Sequence, residues 1–173
     1  MRFSLFISNT KALNTLILNN SMVVRMETKI KLLDKEFIIE SRLSKTGVKF
    51  PFTDKNDYTL HNKFTIKVSR VIDGKKITKR FSFYDNYENF QKGIKDLDEK
   101  SLLFAFRCIL EDGLAGTYEF NDFCNEYGYS NDSIKALRIY NECKKTLSKL
   151  LDLGIFESEI TDLLNELSKM GIE

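Results

Sequence analysis

Proline, glycine and histidine are scarce in this chain of 173 residues, which contains one Pro, eight Gly and one His. So little Pro and Gly argues against a low-complexity chain. The residues are 42% hydrophobic and 30% charged, which is enough to build a folded core. The length suits one domain, or one domain with an appendage. The formal net charge of +2 is too small to indicate nucleic-acid binding by itself.

Long apolar runs are also lacking, and no stretch has the roughly 20 mostly apolar residues that a membrane span requires. The N-terminus lacks the apolar core of a signal peptide, because polar residues such as Ser8, Asn9 and Lys11 interrupt it. We therefore expect residues 1–25 to form a poorly ordered N-terminal extension. Met22 and Met26 are alternative starts to Met1.

Residues that commonly carry catalysis or bind metals are few. Cys108, Cys124 and Cys143 are odd in number and form no C-x-x-C pair, which indicates reduced thiols in a bacterial or host cytoplasm. Each lies in an apolar helical pattern, where free Cys is typically a small buried hydrophobe. His61 belongs to no cluster with zinc-like spacing, and no Gly-rich phosphate loop, Ser elbow or calcium loop occurs. We expect no cofactor, no metal and no enzymatic activity.

The order of hydrophobic patterns predicts an α+β fold, in which a small antiparallel sheet of N-terminal hairpins packs against a C-terminal bundle of about four helices. We expect a single domain over residues 26–173, mainly β over 26–86 and mainly α over 87–173. Two strand-like runs, KIKLL and EFIIESRL, flank a predicted turn at residues 33–36 and indicate the first hairpin.

The second hairpin is predicted in more detail. An Asp-Gly pair at 73–74 between two alternating runs is a strong type I′ turn signal. A two-residue turn fixes the register, placing Phe64 opposite Phe83 and Lys67 opposite Arg80, with one apolar and one polar face. We expect helices to cover the apolar face, which would prevent its rings from stacking on nucleic-acid bases.

Four helical segments are predicted after the sheet. We expect the first helix to end at Gly113 and Gly116. We expect Thr117 to cap a short second helix, and Asn131 or Asp132 to cap the third. Apolar residues at helical spacing predict the buried faces of the last two helices. The third helix is expected to bury Ile134, Leu137, Tyr140, Cys143, Leu147 and Leu150, and the fourth Phe156, Ile160, Leu163, Leu164, Leu167 and Met170.

Charge is segregated along the chain, with seven Lys/Arg and one Asp over residues 61–80 and six acids and one Lys over residues 151–173. Two candidate partner-binding surfaces follow. The basic hairpin comprises Lys67, Lys75, Lys76, Lys79 and Arg80. The acidic surface of the last helix comprises Glu157, Glu159, Asp162 and Glu166. The like-charged pair Lys67–Arg80 has two interpretations, a phosphate-binding or acidic-partner surface, and a solvated edge whose lysines block aggregation.

A short motif joins the second and third predicted helices and reads F-x-x-F-C-x-E-x-G-Y-x-x-D-S-x-x-A. Its residues are Phe120, Phe123, Cys124, Glu126, Gly128, Tyr129, Asp132, Ser133 and Ala136. With the hairpin and helix before it, from about Tyr58 to Leu151, the motif resembles a recurring class of small phage and mobile-element proteins. The resemblance implies a protein that binds and blocks a host machine without catalysis, as inhibitors of CRISPR–Cas effectors do. It implies no catalytic residue.

Two functional hypotheses follow. In the first, the protein is an anti-CRISPR inhibitor that binds a Cas effector or its guide-RNA complex in the bacterial cytoplasm. In the second, it is a nucleic-acid-binding accessory or regulatory protein of the mobile element, which uses the basic hairpin and has no Cas partner. A homodimer could also form through Leu163, Leu164 and Leu167, which something must cover. No membrane partner is expected.

Overall fold

A computed structural model describes residues 25–53, 55–85 and 97–173 and contains one antiparallel sheet followed by helices. The strands are β1 (Arg25–Leu32), β2 (Lys35–Val48), β3 (His61–Ile72) and β4 (Lys75–Asp85), in the order β1-β2-β3-β4. Four helices follow in the described residues: α1 (Glu99–Ala115), α2 (Phe120–Tyr127), α3 (Ile134–Asp152) and α4 (Glu157–Lys169). The predicted α+β fold is confirmed. The predicted N-terminal extension, apart from its last residue, and the predicted start of helix near residue 87 lie outside the described residues.

Both hairpins have two-residue turns. The first turn is shorter than predicted, because only Leu33 and Asp34 lie between the strands, with φ of 46° and 61°, and residues 35–36 already belong to β2. Positive φ at both positions is the geometry of a type I′ turn, whose twist matches that of the strands. The second turn is the predicted one, with φ of 50° at Asp73 and 76° at Gly74.

The predicted register of the second hairpin is confirmed, since Phe64 pairs with Phe83 and Lys67 with Arg80. Side chains alternate between the two faces of a sheet. Phe64 and its neighbour two residues on, Ile66, are fully buried, so this face is the inner one, on the helix side. Lys67 therefore lies on the opposite, outer face.

The core fills the space between the inner face of the sheet and the helices. Helix α1 packs on the sheet, where the ring centroids of Phe37 and Phe106 are 5.4 Å apart and those of Phe83 and Phe104 are 6.4 Å apart. The inner-face rings of β4 are therefore covered, with Phe81 buried, as the sequence predicts. One apolar cluster contains buried side chains from both the sheet and the helices.

Helix α1 ends at Ala115 with Gly116 as its C-cap, which confirms one of the two predicted glycines, whereas the other, Gly113, lies inside the helix and is buried against α3. Glycine at this contact lets the two helices approach closely. At the next glycine, Gly116, a Cβ would lie 2.6 Å from the backbone carbonyl oxygen of Cys143. That distance is shorter than any normal contact, so a side chain at Gly116 would push α1 and α3 apart.

The joint between α1 and α3 also differs from the prediction in its caps. Thr117 does not begin α2, because its hydroxyl donates to the carbonyl of Leu114 and α2 follows Glu119. Helix α3 is capped by Ser133, whose hydroxyl accepts a hydrogen bond from Ala136 N–H, and not by Asn131 or Asp132. Three consecutive residues are good N-caps here, so the sequence alone does not decide among them. A small second core packs this joint and contains Ala115, Phe123, Cys124, Ala136, Tyr140 and Cys143.

The predicted buried stripes of α3 and α4 are correct in their centres and wrong at their beginnings. Ile134, Leu137 and Phe156 are exposed, whereas their neighbours Ala136 and Ile155 are fully buried, so other residues than those predicted face the core at these helix starts. On α4, Leu163 and Leu167 are fully buried within the same chain. Two of the three leucines that suggested a homodimer are therefore covered by the protein's own core, and the third, Leu164, is partly buried against it.

Candidate functional site

The outer face of the sheet is cationic. The alternation of side chains, with the pairing of Lys45 to Lys63 beyond a register shift in β2, assigns eight cations to it: Lys29, Lys31, Arg42, Lys45, Lys63, Lys67, Lys76 and Arg80. Only three carboxylates share the face: Glu27, Glu36 and Glu40. This excess of positive charge comes from four strands, although the sequence had drawn attention to one hairpin. Clustered cations on one face attract phosphates and acidic partners.

A concave site of about 510 Å³ lies at the centre of this face, and three of the cations line it. Glu40, Lys67 and Arg80 form one row across three neighbouring strands, with Lys67 paired to both of the others. Arg42 lies on the strand beside Lys67, two residues from Glu40. The hydroxyls of Ser44 and Thr65, 2.6 Å apart, complete the polar lining. We call these three cations, Arg42, Lys67 and Arg80, the cationic centre.

The cationic centre is not neutralised by ion pairs within the parts of the chain that the structure describes. There, no Asp or Glu oxygen lies within 4.0 Å of the charged nitrogens of Arg42, Lys67 or Arg80. Like charges directly opposite each other, as in the Lys67–Arg80 pair, slightly destabilise a sheet. An external anion would relieve this repulsion.

The five cations predicted as a basic hairpin do not form one surface. Lys67, Lys76 and Arg80 lie on the outer face, whereas Lys75 and Lys79 lie on the inner side of β4. Lys79 is also engaged within the chain, since its ammonium is 2.5 Å from a carboxylate oxygen of Asp152 at the end of α3. The cationic centre thus includes Arg42, which was not among the predicted residues, and excludes Lys75 and Lys79, which were.

The predicted acidic surface is partly used inside the protein. A carboxylate oxygen of Glu159 accepts a hydrogen bond from the Phe156 N–H at 3.0 Å, and the other pairs with the ammonium of Lys35. The hydrogen bond from Lys35 lowers the pKa of Glu159 below its ordinary value. Glu166 pairs with Lys169 at 2.8 Å on the same helix. The two remaining predicted acids, Glu157 and Asp162, are exposed.

Aromatic rings border the cationic centre at the end of the outer face where β4 terminates. The ring centroid of Phe50 is 5.1 Å from that of Tyr84 and 5.6 Å from that of Phe52, at interplanar angles of 86° and 76°. The ammonium of Lys63 lies 5.9 Å from the centroid of the Tyr84 ring. We call Phe50, Phe52 and Tyr84 the aromatic rim.

A groove of about 580 Å³ lies along the β4 edge, between the aromatic rim and the helices, and Thr65 and Arg80 line both this groove and the concave site. On its helix side the groove is lined by two carboxylates, Asp112 and Glu142, and by Lys149. Sequence reasoning missed the rim. Tyr84 was predictable, because the register of the second hairpin places it opposite Lys63 on the polar face. Phe50 and Phe52 were not predictable, because they flank Pro51 in an irregular connection, where no repeating pattern shows which way a side chain faces.

Helix α3 fixes the strand that carries Arg80. The ammonium of Lys149 donates to the backbone carbonyl of Arg80 at 2.9 Å and lies 5.2 Å from the Phe81 ring centroid. Strand β4 is at the edge of the sheet that the described residues form, so no described strand lies beyond this carbonyl to pair with it. The lysine thus satisfies an edge carbonyl and anchors β4 to the helices.

The thiols and the histidine are not arranged as a reactive site. Burial raises the pKa of Cys108 to about 11 and that of Cys143 to about 12, whereas a nucleophilic cysteine requires a lowered pKa. Cys124 is fully buried, and Nδ1 of His61 is 2.9 Å from the carbonyl oxygen of Asp85. In the three described ranges, no three acidic, Cys or His side chains are placed to hold a metal ion. No helix in those ranges is long and apolar enough to cross a membrane.

A scan against protein-family models, a search of the curated proteins and a search of the solved structures each found no match for this chain. The resemblance of the motif around Phe123 and Gly128 to mobile-element proteins therefore stays a prediction from the sequence. The charges of the site are those that suit an anionic ligand.

Proposed function

We propose that this protein is a non-catalytic interaction protein of a phage or mobile element that inhibits a CRISPR–Cas effector by binding its guide-RNA complex through the outer face of the sheet. The observation that carries the proposal is the cationic centre, in which Arg42, Lys67 and Arg80 line one concave site. The guide RNA of such a complex offers phosphates, and arginine and lysine are the side chains that contact them. The motif resemblance supports the setting, and the site supports the mode of binding.

The cationic centre is a better candidate than the acidic surface of α4. Two of the four acids on that surface are engaged with Lys35 and Lys169, which leaves Glu157 and Asp162 to mimic phosphate. The outer face instead combines eight cations with a concavity. The inhibitor hypothesis therefore favours contact with RNA over contact with the basic channel of the effector.

The proposal is tested by capture of purified Cas effectors, with and without guide RNA, on the full-length protein. We expect capture of the RNA-loaded effector to be lost in the double variant Lys67→Glu/Arg80→Glu. The matched control is Lys75→Glu/Lys100→Glu, which changes net charge equally at two exposed positions off the outer face. Equal capture by both variants, with both folded by circular dichroism, would contradict the proposal.

The second hypothesis, an accessory or regulatory nucleic-acid-binding protein, is favoured by the same concave site, because phosphate contacts do not require a Cas protein. It predicts that the chain binds free RNA or DNA at low salt and that the Lys67→Glu/Arg80→Glu variant does not. Binding to free nucleic acid without any capture of a Cas complex would favour this hypothesis over inhibition.

A further inference from the structure

The aromatic rim exposes apolar surface beside the most cationic part of the molecule. Phe50 is 36% exposed, although a large aromatic side chain on a folded chain is usually more deeply buried. The interplanar angles of 86° and 76° show that Phe50 stacks face to face with neither Tyr84 nor Phe52. In each of these edge-to-face contacts the edge of one ring covers one face of the other, and the ammonium of Lys63 lies over the Tyr84 ring. The two ring contacts thus cover only two of the six ring faces of the rim.

The rim lies in line with the cationic centre. Tyr84 and Arg80 are four residues apart on β4 and on the same face, which separates them by roughly 13 Å along the strand. The groove along the β4 edge is lined by both residues and adjoins the concave site, with which it shares Thr65 and Arg80, while Asp112 and Glu142 line its helix side. A single ligand can therefore contact the charges and the rings together.

From this arrangement we infer that the outer face binds single-stranded RNA, with unpaired bases stacked on Phe50, Phe52 and Tyr84 while Arg42, Lys67 and Arg80 contact the phosphates. The inference rests on the proposed function and names the form of nucleic acid it requires. Proteins that bind single strands commonly combine cations for the phosphates with aromatic side chains for the bases, and here the cations line the concave site that adjoins the rim. A duplex keeps its bases stacked on one another, so it offers phosphates to the cations but no free base to the rings.

The experiment compares a fluorescein-labelled 12-nucleotide oligouridylate with a 12-base-pair RNA duplex by fluorescence anisotropy, using the full chain at low salt. We expect Phe50→Leu and Tyr84→Leu each to weaken single-strand binding at least about fivefold, the lower limit for loss of one stacked base. Duplex binding should change little in either variant. Tyr84→Phe, which keeps the ring, should retain the wild-type affinity and so distinguish loss of stacking from loss of packing.

The matched control is Tyr58→Leu, which removes an aromatic ring that is 76% exposed and does not line the groove. It should leave single-strand binding unchanged. A second readout is the fluorescence of 2-aminopurine placed in the oligonucleotide, which should change on binding to the wild-type protein and not to Phe50→Leu.

The outcomes separate the two proposals. Equal affinity for single strand and duplex, with no effect of Phe50→Leu or Tyr84→Leu, would overturn base stacking and leave phosphate binding intact. Absence of binding to either RNA at low salt, together with no capture of an RNA-loaded effector, would overturn the proposed function itself.

Discussion

Replacing Arg80 by glutamine should reduce the salt dependence of RNA binding by a predictable amount. Each phosphate neutralised on a single strand contributes about −0.7 to the slope of log affinity against log salt concentration. The cationic centre holds three cations, so the wild-type slope should be about −2. Between 50 and 200 mM salt, affinity should then fall about 20-fold.

The Arg80→Gln variant retains Arg42 and Lys67, and its slope should be about −1.4, which corresponds to a fall of about sevenfold over the same range. The double variant Lys67→Gln/Arg80→Gln should lose only about threefold. Anisotropy titrations of a labelled oligoribonucleotide at four or five salt concentrations measure all three slopes. The control Lys75→Gln/Lys100→Gln should keep the wild-type slope.

An unchanged slope in Arg80→Gln would refute the assignment of phosphates to the cationic centre, even if the affinity itself falls. A wild-type slope near −6 would contradict it in another way, because about eight phosphate contacts would then involve every cation of the outer face. Either result would place the binding energy outside the concave site.

Three further predictions concern stability. Gly116→Ala should destabilise the protein by about 1–3 kcal/mol, because the new Cβ meets the Cys143 carbonyl, and Tm should fall by roughly 2–12 °C in thermal unfolding. Ser133→Ala should cost about 1 kcal/mol through loss of the α3 cap, measured by urea denaturation. Lys35→Met should lower Tm most above pH 5. The difference in Tm between the wild type and this variant should shrink as the pH falls below about 4.5. The pKa of Glu159 is lowered in the folded protein, so its pairing with Lys35 stabilises the fold only while the carboxylate is ionised.

Each of these has a matched control. Gly128→Ala adds a Cβ that meets nothing within 4 Å, so it should cost less than Gly116→Ala despite its φ of +70°. Ser133→Thr retains a capping hydroxyl and should be nearly neutral. Lys31→Met removes only an exposed pair with Asp34 and should change Tm little at any pH. A Lys35→Met difference that is constant from pH 7 to pH 3 would show that the ion pair does not contribute to stability.

The second hairpin was predictable because a two-residue turn and an alternating pattern both specify the same register. The predicted basic hairpin was less accurate because it was chosen by charge along the chain. The same alternation that places Lys67 and Arg80 on the outer face places Lys75 and Lys79 on the inner one. Assigning each of the five cations to a face by this alternation would have separated Lys75 and Lys79 from the other three.

Other features depend on contacts that a single sequence does not reveal. Glu159 was counted as a surface acid, yet its partner Lys35 lies 124 residues earlier in the chain. The rings of Phe50 and Phe52 reach the outer face through an irregular connection, where no period of two or 3.6 residues assigns a side to a residue. The candidate site could not be predicted in full for the same reason. Its residues come from β2, β3, β4 and this connection, and only the fold brings them together.

The contact of Lys149 with the carbonyl of Arg80 has a consequence for ligand affinity. Ordering the backbone of one residue costs about 1–2 kcal/mol of conformational entropy. Because Lys149 holds this edge of the sheet from the helix side, that cost is met when the protein folds and not when a ligand arrives. The helical bundle contributes no cation to the cationic centre, and it still contributes to binding by keeping the guanidinium of Arg80 on a preorganised backbone.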